Sequence, residues 1–354
     1  MTQQKSPRIP LCLTTPRTRV ADQFWIGLAQ LVEAAGYNPL FLLPASDPLT
    51  SVASREAFRV VESGRGEVKT ILRELPVAAA LVDSPRARNG LRAALPWLSK
   101  QKVRRVLLAE AQPEQSWFFN RSLPVLYSNP ALVGSGGTDD LWLPVQPERI
   151  FVSEDRAKEF RRIYQIPEAS RIVWLPGGSH NRTQSWLDCT TMCESLLTTD
   201  PDAVIVFGRS SPSEAIDTIR DRLFRFGMWR VLSDLSEYEE EMVWSAASVV
   251  WLPRFDSEEL FEPLIRAVEV GLPVLLVDDA TLRQWTAAGF GDEAIPNNFP
   301  SRWMEKTIDL LNNTGWESRR IRIREYETRW GVTARAQRLI EWLGFSILRT
   351  ESSE

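Results

Sequence analysis

Histidine and cysteine are scarce in this chain. Its 354 residues include one histidine, His180, and three cysteines. Zinc sites are built mainly from these two residue types, so the composition argues against a zinc centre and against catalysis by several histidines. Three cysteines provide no disulfide framework, and Cys189 and Cys193 lie one helical turn apart, where a disulfide is uncommon. We therefore expect a protein of the reducing cytoplasm.

Long apolar runs and a strong excess of one charge are also missing. No run approaches the roughly 20 apolar residues that span a bilayer, and the first residues lack the layout of a signal peptide. The formal net charge is −4, which gives no general attraction to nucleic acid. With 44% hydrophobic residues and this length, the sequence predicts a soluble globular protein of two domains.

Short apolar strands alternate with helical segments. IPLCLTT (9–15) and YNPLFLLP (37–44) predict strands on either side of a helix over 19–36. A further helix is predicted near 55–62, and VAAALVD (77–83) predicts another strand. Strands separated by crossover helices form parallel sheets, so the pattern predicts an α/β fold.

The alternation is interrupted once and then restarts. The segment 131–149 is rich in glycine and proline, as a linker would be. We expect two facing, doubly wound domains, with an N-terminal domain at 1–145 on the acceptor side and a C-terminal domain at 146–345 on the donor side. The last helix of the second domain is expected to cross back, and 346–354 is expected to form a tail.

Ligands of doubly wound sheets bind beyond the carboxyl ends of the strands, so the loops there contain the candidate site residues. In LPGGSHNR (175–182), Gly177 and Gly178 allow close approach of the backbone, and Arg182 can bind a phosphate. An ordinary strand-to-helix turn with a solvated arginine fits the same residues. His180, as a lone histidine, is more typical of a surface residue than of a catalyst.

The first domain offers charged side chains at the corresponding edge. Arg17 and Arg19 would attract an anionic donor or acceptor, although a solvated loop is the more common role for such residues. Glu110 and Asp83 end predicted strands and can act as acids or bases, whereas most carboxylates at strand ends cap N–H groups. Trp25 lies near this edge, where core packing is the default and stacking on a sugar or base is the alternative.

Five segments of the second half together match a family pattern. They are EFRRIYQIPEASRIVWLPGG, TTDPDAVIVFGR, WRVLSDLSEYEEEMVWSAASVVWLP, EELFEPLIRAVEVGLPVLLVDD and YETRWGVTARAQRLIEWL. As a set, over roughly 140–345, they resemble the C-terminal domain of GT-B glycosyltransferases, specifically the large retaining family 4. The fourth segment resembles that family's E-x-F-G-x-P-x-x-E-A-x-x-x-G-x-P-V motif. The first domain resembles the family only in its α/β rhythm.

The resemblance implies that the protein transfers a sugar, with retention, from a nucleotide-sugar donor, which is a substrate, and that the reaction requires neither a cofactor nor a metal. The acceptor stays open among a glycan, a lipid-linked molecule and a protein, and so does a peripheral membrane or protein partner; nucleic acid is not expected. Glu258 would orient the donor sugar, and Glu110 is the other candidate catalytic residue. The implied donor and diphosphate contacts are Gly177, Gly178, Arg182, Gly208, Leu260, Phe261, Glu262 and Arg266.

Several residues that contact ligand in the family are replaced here. Arg266 stands in place of the second of two family glutamates, Gly178 in place of an arginine, and Phe261 and Glu262 in place of glycines before the donor helix. The histidine that often ends an N-domain strand in the family is absent, and Glu110 lies there.

These replacements allow two interpretations of the donor helix. In one, Glu262 caps the helix and pairs with Arg266 four residues later, which fills the site. In the other, Arg266 is a phosphate-binding cation that replaces a ribose-binding carboxylate. The first interpretation supports an alternative function, a catalytically inactive GT-B-fold protein that acts as a binding or partner subunit.

Limited proteolysis can test the predicted division into domains. If the two halves are hinged near 141–150, a protease should cut first between Gly134 and Val145, because linkers are cleaved before packed strands. The measurement is mass spectrometry of the earliest fragments. A first cut inside 202–280 would contradict the division.

Overall fold

The computed structural model shows two compact units within the residues that it describes. The units are Met1–Pro147 together with Thr328–Glu354, and Glu148–Glu327. Among the described helices, none is long and apolar enough to cross a membrane. The described residues are 7–13, 19–62, 77–83, 103–107, 125–127, 141–144, 150–176, 183–208, 221–223, 230–233, 235–253, 261–296, 299–312 and 315–345.

The described ranges contain both parallel strands and helices. The strands are Arg8–Cys12 (β1), Asn38–Leu43 (β2), Arg59–Glu62 (β3), Ala80–Val82 (β4), Val103–Leu107 (β5), Val125–Tyr127 (β6), Leu141–Trp142 (β7), Arg171–Leu175 (β8), Ala203–Phe207 (β9), Val231–Leu232 (β10), Val249–Leu252 (β11), Val274–Val277 (β12) and Glu293–Ile295 (β13). The helices are Arg19–Ala34 (α1), Leu49–Arg55 (α2), Glu154–Ile163 (α3), Thr183–Thr199 (α4), Glu237–Ala246 (α5), Phe261–Glu269 (α6), Ala280–Ala287 (α7), Pro300–Leu311 (α8), Trp316–Trp330 (α9) and Val332–Trp342 (α10).

The first unit contains one parallel sheet, in the order β3-β2-β1-β4-β5-β6-β7. The chain begins at β1, builds outward to β3, and then continues on the other side from β4. Ile9 and Leu11 of β1 are fully buried, and they share a core with Trp25 of α1 and Leu339 of α10. Trp25 is 0% exposed, so it is a core residue and offers no surface for stacking on a ligand.

The second unit repeats this doubly wound arrangement with six parallel strands, in the order β10-β9-β8-β11-β12-β13. Its central strand β8 is buried on both faces, as expected for a parallel sheet covered by helices. Val173 belongs to a core with Leu196 of α4 and Trp303 of α8. Trp174 packs edge-to-face on Trp244 of α5, with ring centroids 5.9 Å apart. The α/β class predicted from the sequence is confirmed.

The prediction of a helix near 55–62 is wrong. Helix α2 ends at Arg55, and Arg59–Glu62 forms the edge strand β3. Ala57 between them has a φ of 61°, a left-handed conformation that ends a helix. The β-branched pair Val60 and Val61 fits an extended strand better than a helix.

Part of the predicted linker at 131–149 also belongs to the first sheet. Leu141–Trp142 is strand β7, which pairs with β6, and Leu143 after it is 1% exposed. The Trp142 ring lies 4.7 Å from that of Trp330, and Arg335 donates a hydrogen bond to the carbonyl oxygen of Pro144. A two-residue strand is too short to show a periodicity, so the sequence pattern did not reveal it.

Arg319 of α9 connects the C-terminal ends of two helices of the second unit. It is 6% exposed, and its Nε donates to the carbonyl oxygen of Val270 at 2.6 Å. Its Nη1 donates to Ser245 O at 2.8 Å, and its Nη2 donates to Trp244 O. Burial lowers the pKa of Arg319 to about 9, which leaves it a cation at neutral pH. Carbonyls at helix C-termini carry partial negative charge, so this cation stabilises the ends of both α5 and α6.

Gly271 forms the turn from α6 to β12 beside this arginine. Its φ is +74°, and a Cβ there would lie 2.5 Å from the carbonyl oxygen of Arg319. Gly344 also has a positive φ, +81°, but a Cβ at that position would meet nothing within 4 Å. The two glycines therefore separate the cost of backbone conformation from the cost of a steric clash.

We expect Gly271→Ala to destabilise the protein more than Gly344→Ala. Each change places alanine in a left-handed conformation, at about 1–2 kcal/mol, and only the first adds a clash with backbone, at roughly 1–3 kcal/mol more. Urea unfolding of both variants, followed through every transition, measures the difference. Equal losses of stability would show that the contact at Gly271 relaxes without cost.

Candidate functional site

The second sheet has its topological switch point between β8 and β11. These strands are parallel neighbours, with Val249 opposite Val173 and Val250 opposite Trp174, and the chain leaves them towards opposite sides of the sheet. Open α/β sheets bind ligands at the carboxyl ends of the strands at this point. Two of the loops that contain predicted site residues, those after β8 and after β11, therefore start side by side.

Most of the predicted site residues lie outside the described part of the chain, and their roles stay predictions. Phe261 begins α6 and Arg19 begins α1, and only their backbone positions are described. The residues outside the described ranges are Gly177, Gly178, His180 and Arg182 after β8, Glu258 and Leu260 after β11, and Arg17 and Glu110 in the first unit.

Gly208 is buried directly after β9, beside the end of β8. Its N–H donates a hydrogen bond of 2.9 Å to the carbonyl oxygen of Leu175, the last residue of β8. This contact places Gly208 one strand away from the switch point. A glycine there keeps the backbone close to the loop that begins at Pro176.

Glu262 and Arg266 form an ion pair on α6, as their spacing predicted. Arg266 Nη2 lies 2.9 Å from Glu262 Oε1, and the two side chains are 21% and 34% exposed respectively. The Arg266 guanidinium also lies over the ring of Trp244, 5.9 Å from its centroid. Trp244 is buried in α5, so Arg266 is positioned by a second helix as well as by its own.

The contact between Arg266 and Trp244 was not predicted from the sequence. The two residues belong to different helices and are separated by β11, so no periodic spacing relates them. Arg266 Nε is buried and has no hydrogen-bond partner among the described residues. The guanidinium therefore retains one N–H that the described surroundings do not satisfy.

The first turn of α6 is poorly suited to a phosphate in this arrangement. A helix N-terminus binds anions through its free N–H groups and its partial positive charge. Pro263 has no N–H, and the carboxylate of Glu262 already lies in that turn. The cation of Arg266 is engaged by Glu262. A phosphate would have to compete with this carboxylate.

Asp83 follows β4, as the sequence predicted, and β4 and β1 form the switch point of the first sheet. The N–H of Asp83 donates a hydrogen bond of 3.1 Å to the carbonyl oxygen of Cys12 at the end of β1. Burial, with a smaller contribution from the Asp83 carboxylate, raises the pKa of the Cys12 thiol well above its usual value. Cys12 is therefore an unreactive thiol in the core.

No metal site is evident within the described residues. They contain no group of three or more histidine, cysteine, aspartate or glutamate side chains that could bind a metal ion. Glu258, Glu110 and His180 lie outside the described residues. The expectation that no metal is required stays a prediction.

Comparison with solved structures identifies the fold. A glycosyltransferase from Rickettsia africae has a TM-score of 0.69 and 10% identity, with 96% of this chain and 98% of that chain covered. Alr3699/HepE from Anabaena, in complex with UDP, has a TM-score of 0.64 and 12% identity over 96% and 99%. A putative UDP-N-acetylglucosamine 2-epimerase from Listeria monocytogenes has a TM-score of 0.54 and 11% identity over 94% and 95%.

These likenesses show that the chain has the GT-B type of fold, with two Rossmann-like α/β domains. No family model and no curated protein matches the sequence. At such low identities the similarity concerns the fold alone, and the same fold is found in a protein described as an epimerase. The predicted fold class is confirmed, whereas membership of family 4 and retention stay predictions.

Proposed function

We propose that the protein is a glycosyltransferase that moves a sugar, with retention, from a nucleotide-sugar to an acceptor. The observation that carries this proposal is the position of the two loops that resemble the donor segments of family 4. Both begin at the switch point of the second sheet, where such sheets bind ligands. The presence of UDP in the Anabaena structure makes uridine the first nucleoside to test.

The donor side would bind the diphosphate and stabilise it as a leaving group. When the bond between the sugar and the diphosphate breaks, negative charge develops on the phosphate oxygens, and positioned donors lower the energy of that state. In our proposal Arg182 provides the cation, and the backbone at 259–262 provides N–H groups. Gly177, Gly178 and Gly208 allow the backbone to approach the phosphates.

The remaining predicted residues would act on the sugar and the acceptor. Glu258 would orient the donor sugar, and Glu110 is the candidate acid or base. Arg17 and Arg19 would contribute positive charge on the acceptor side, in the first unit. Positioning and charge stabilisation provide most of the catalysis in such a reaction, which requires no metal in this proposal.

Arg182 provides the most direct test of the donor site. If UDP binds there, Arg182→Ala should weaken it by ~1.5–3 kcal/mol, the value of a charge-assisted hydrogen bond, which is roughly a 10- to 150-fold rise in Kd. Isothermal titration calorimetry with UDP measures this change, and release of UDP from nucleotide-sugars measures turnover.

Arg302→Ala is a matched control, because Arg302 is 53% exposed and pairs with Glu293 on the surface of the same unit. It should bind UDP as the unchanged protein does. Equal affinity in the Arg182→Ala variant would reject Arg182 as the diphosphate contact.

A second candidate function is that of an inactive binding or partner subunit. The observation that favours it is the ion pair between Glu262 and Arg266 in the donor helix, which leaves a phosphate without a free cation there. If this pair blocks the site, the unchanged protein should give no heat with uridine, guanosine or adenosine diphosphate. Glu262→Gly, which removes the carboxylate, should then allow binding.

Glu262→Gln separates the effect of the negative charge of Glu262 from the effect of the space that its side chain occupies. It keeps a side chain of nearly the same size and removes the negative charge, so binding by the Gln variant would identify charge as the obstacle. Turnover of a nucleotide-sugar by the unchanged protein would reject the blocked site and would make Arg266 a candidate ligand contact.

A further inference from the structure

A pocket of 370 Å³ lies at the opposite edge of the second sheet from the proposed donor site. Its lining includes Ser248 and Pro273, which directly precede β11 and β12. It is therefore at the amino ends of these parallel strands. Strand β11 has four residues, which at ~3.3 Å per residue puts the two edges roughly 13 Å apart. All the residues that line the pocket belong to the second unit.

The pocket is lined by more cationic than anionic side chains. Four cations, Lys158, Arg161, Arg319 and Arg322, accompany two carboxylates, Glu154 and Glu168. Arg322 is neutralised by Asp292 at 2.7 Å. Glu154 forms an ion pair with Arg320, which does not line the pocket, with 3.3 Å between Oε1 and Nη2.

Three of these cations form no ion pair with a carboxylate in the described part of the chain. Lys158 is exposed. Glu168 forms no ion pair with Arg161, and its negative charge only raises the pKa of Arg161 in opposition to the larger, lowering effect of burial. Among the described residues, Arg161 hydrogen-bonds only through Nη1, to the carbonyl oxygens of Pro167 at 3.0 Å and Ser170 at 2.9 Å. Its other two nitrogens form no hydrogen bond within this part of the chain.

Arg319 adds a buried charge that contacts only neutral groups among the described residues. Within them it donates three hydrogen bonds, all to carbonyl oxygens, and its guanidinium lies 4.7 Å from the centroid of the Trp316 ring. An arginine has five N–H donors, so two are not used by the described part of the chain. The first turn of α9, where Trp316 and Ser318 line the same pocket, adds backbone N–H groups that have no partner within the helix.

We propose that this pocket binds a small anion that carries a phosphate group. Arginine guanidinium groups match phosphate oxygens in pairs, and N–H groups at a helix N-terminus favour the same ligand. Leu272, Pro273 and Trp316 in the lining provide apolar surface for the rest of the molecule. The proposal does not depend on the function proposed above, because the two sites lie at opposite edges of the sheet.

Inorganic phosphate and pyrophosphate are suitable probes, with sodium chloride at equal ionic strength as the reference. Both should raise the thermal midpoint above that in chloride, and calorimetry should give a Kd for pyrophosphate. Arg161→Gln combined with Lys158→Gln should raise this Kd at least tenfold. Lys306→Gln, which removes a surface lysine elsewhere in the unit, should leave it unchanged.

The Arg182→Ala variant distinguishes anion binding in this pocket from anion binding at the proposed donor site. That variant should retain the binding affected by Lys158 and Arg161, whereas loss of all binding in Arg182→Ala would assign the anion to the donor site and overturn the proposal. If Arg161→Gln does not fold, Lys158→Gln alone should still fold and weaken binding, because this side chain is exposed and forms no ion pair with the described residues. The proposal would also be overturned if neither phosphate nor pyrophosphate raised the thermal midpoint above its value in sodium chloride. That result would show that carbonyl groups alone balance the charge of Arg319.

Discussion

Three hydrogen bonds from Arg319 of α9 to carbonyl oxygens join the ends of α5 and α6 in the second unit. This buried cation satisfies Val270 after α6 and Trp244 and Ser245 in α5. It thereby fixes the end of α6 against α5, and Trp244 of α5 in turn contacts Arg266 of α6. Helix α6, whose start belongs to the proposed donor site, is therefore held in place by side chains of both α5 and α9.

Whether this helix binds a phosphate is a question of local electrostatics. The helix N-terminus favours an anion, and in the structure Glu262 provides one. Because Glu262 pairs with Arg266, it reduces the positive charge that a diphosphate would encounter at this helix. An active enzyme would need a donor that displaces Glu262 or binds beside it through Arg182. A binding protein would leave the pair intact.

The fold gives a firmer basis for proposing where a ligand binds than for proposing which reaction occurs. Two doubly wound sheets each have a switch point, and Asp83 and Gly208 lie at or next to them. The same architecture occurs in a glycosyltransferase and in a protein described as an epimerase. The distinction between sugar transfer and another reaction therefore rests on side chains in the loops. The proposal assigns this role to Arg182, Glu258 and Glu110.

The sequence by itself determined the features that depend on regular local spacing. Alternating strands and helices specified two parallel α/β sheets, and the four-residue interval between Glu262 and Arg266 specified their ion pair, because one helical turn brings such residues together. Only the tertiary structure decided that 59–62 is a strand, that Trp244 supports Arg266, and that Arg319 joins two helix ends. Those contacts unite elements distant along the chain, and no local periodicity encodes which distant groups will meet when the sheet is packed.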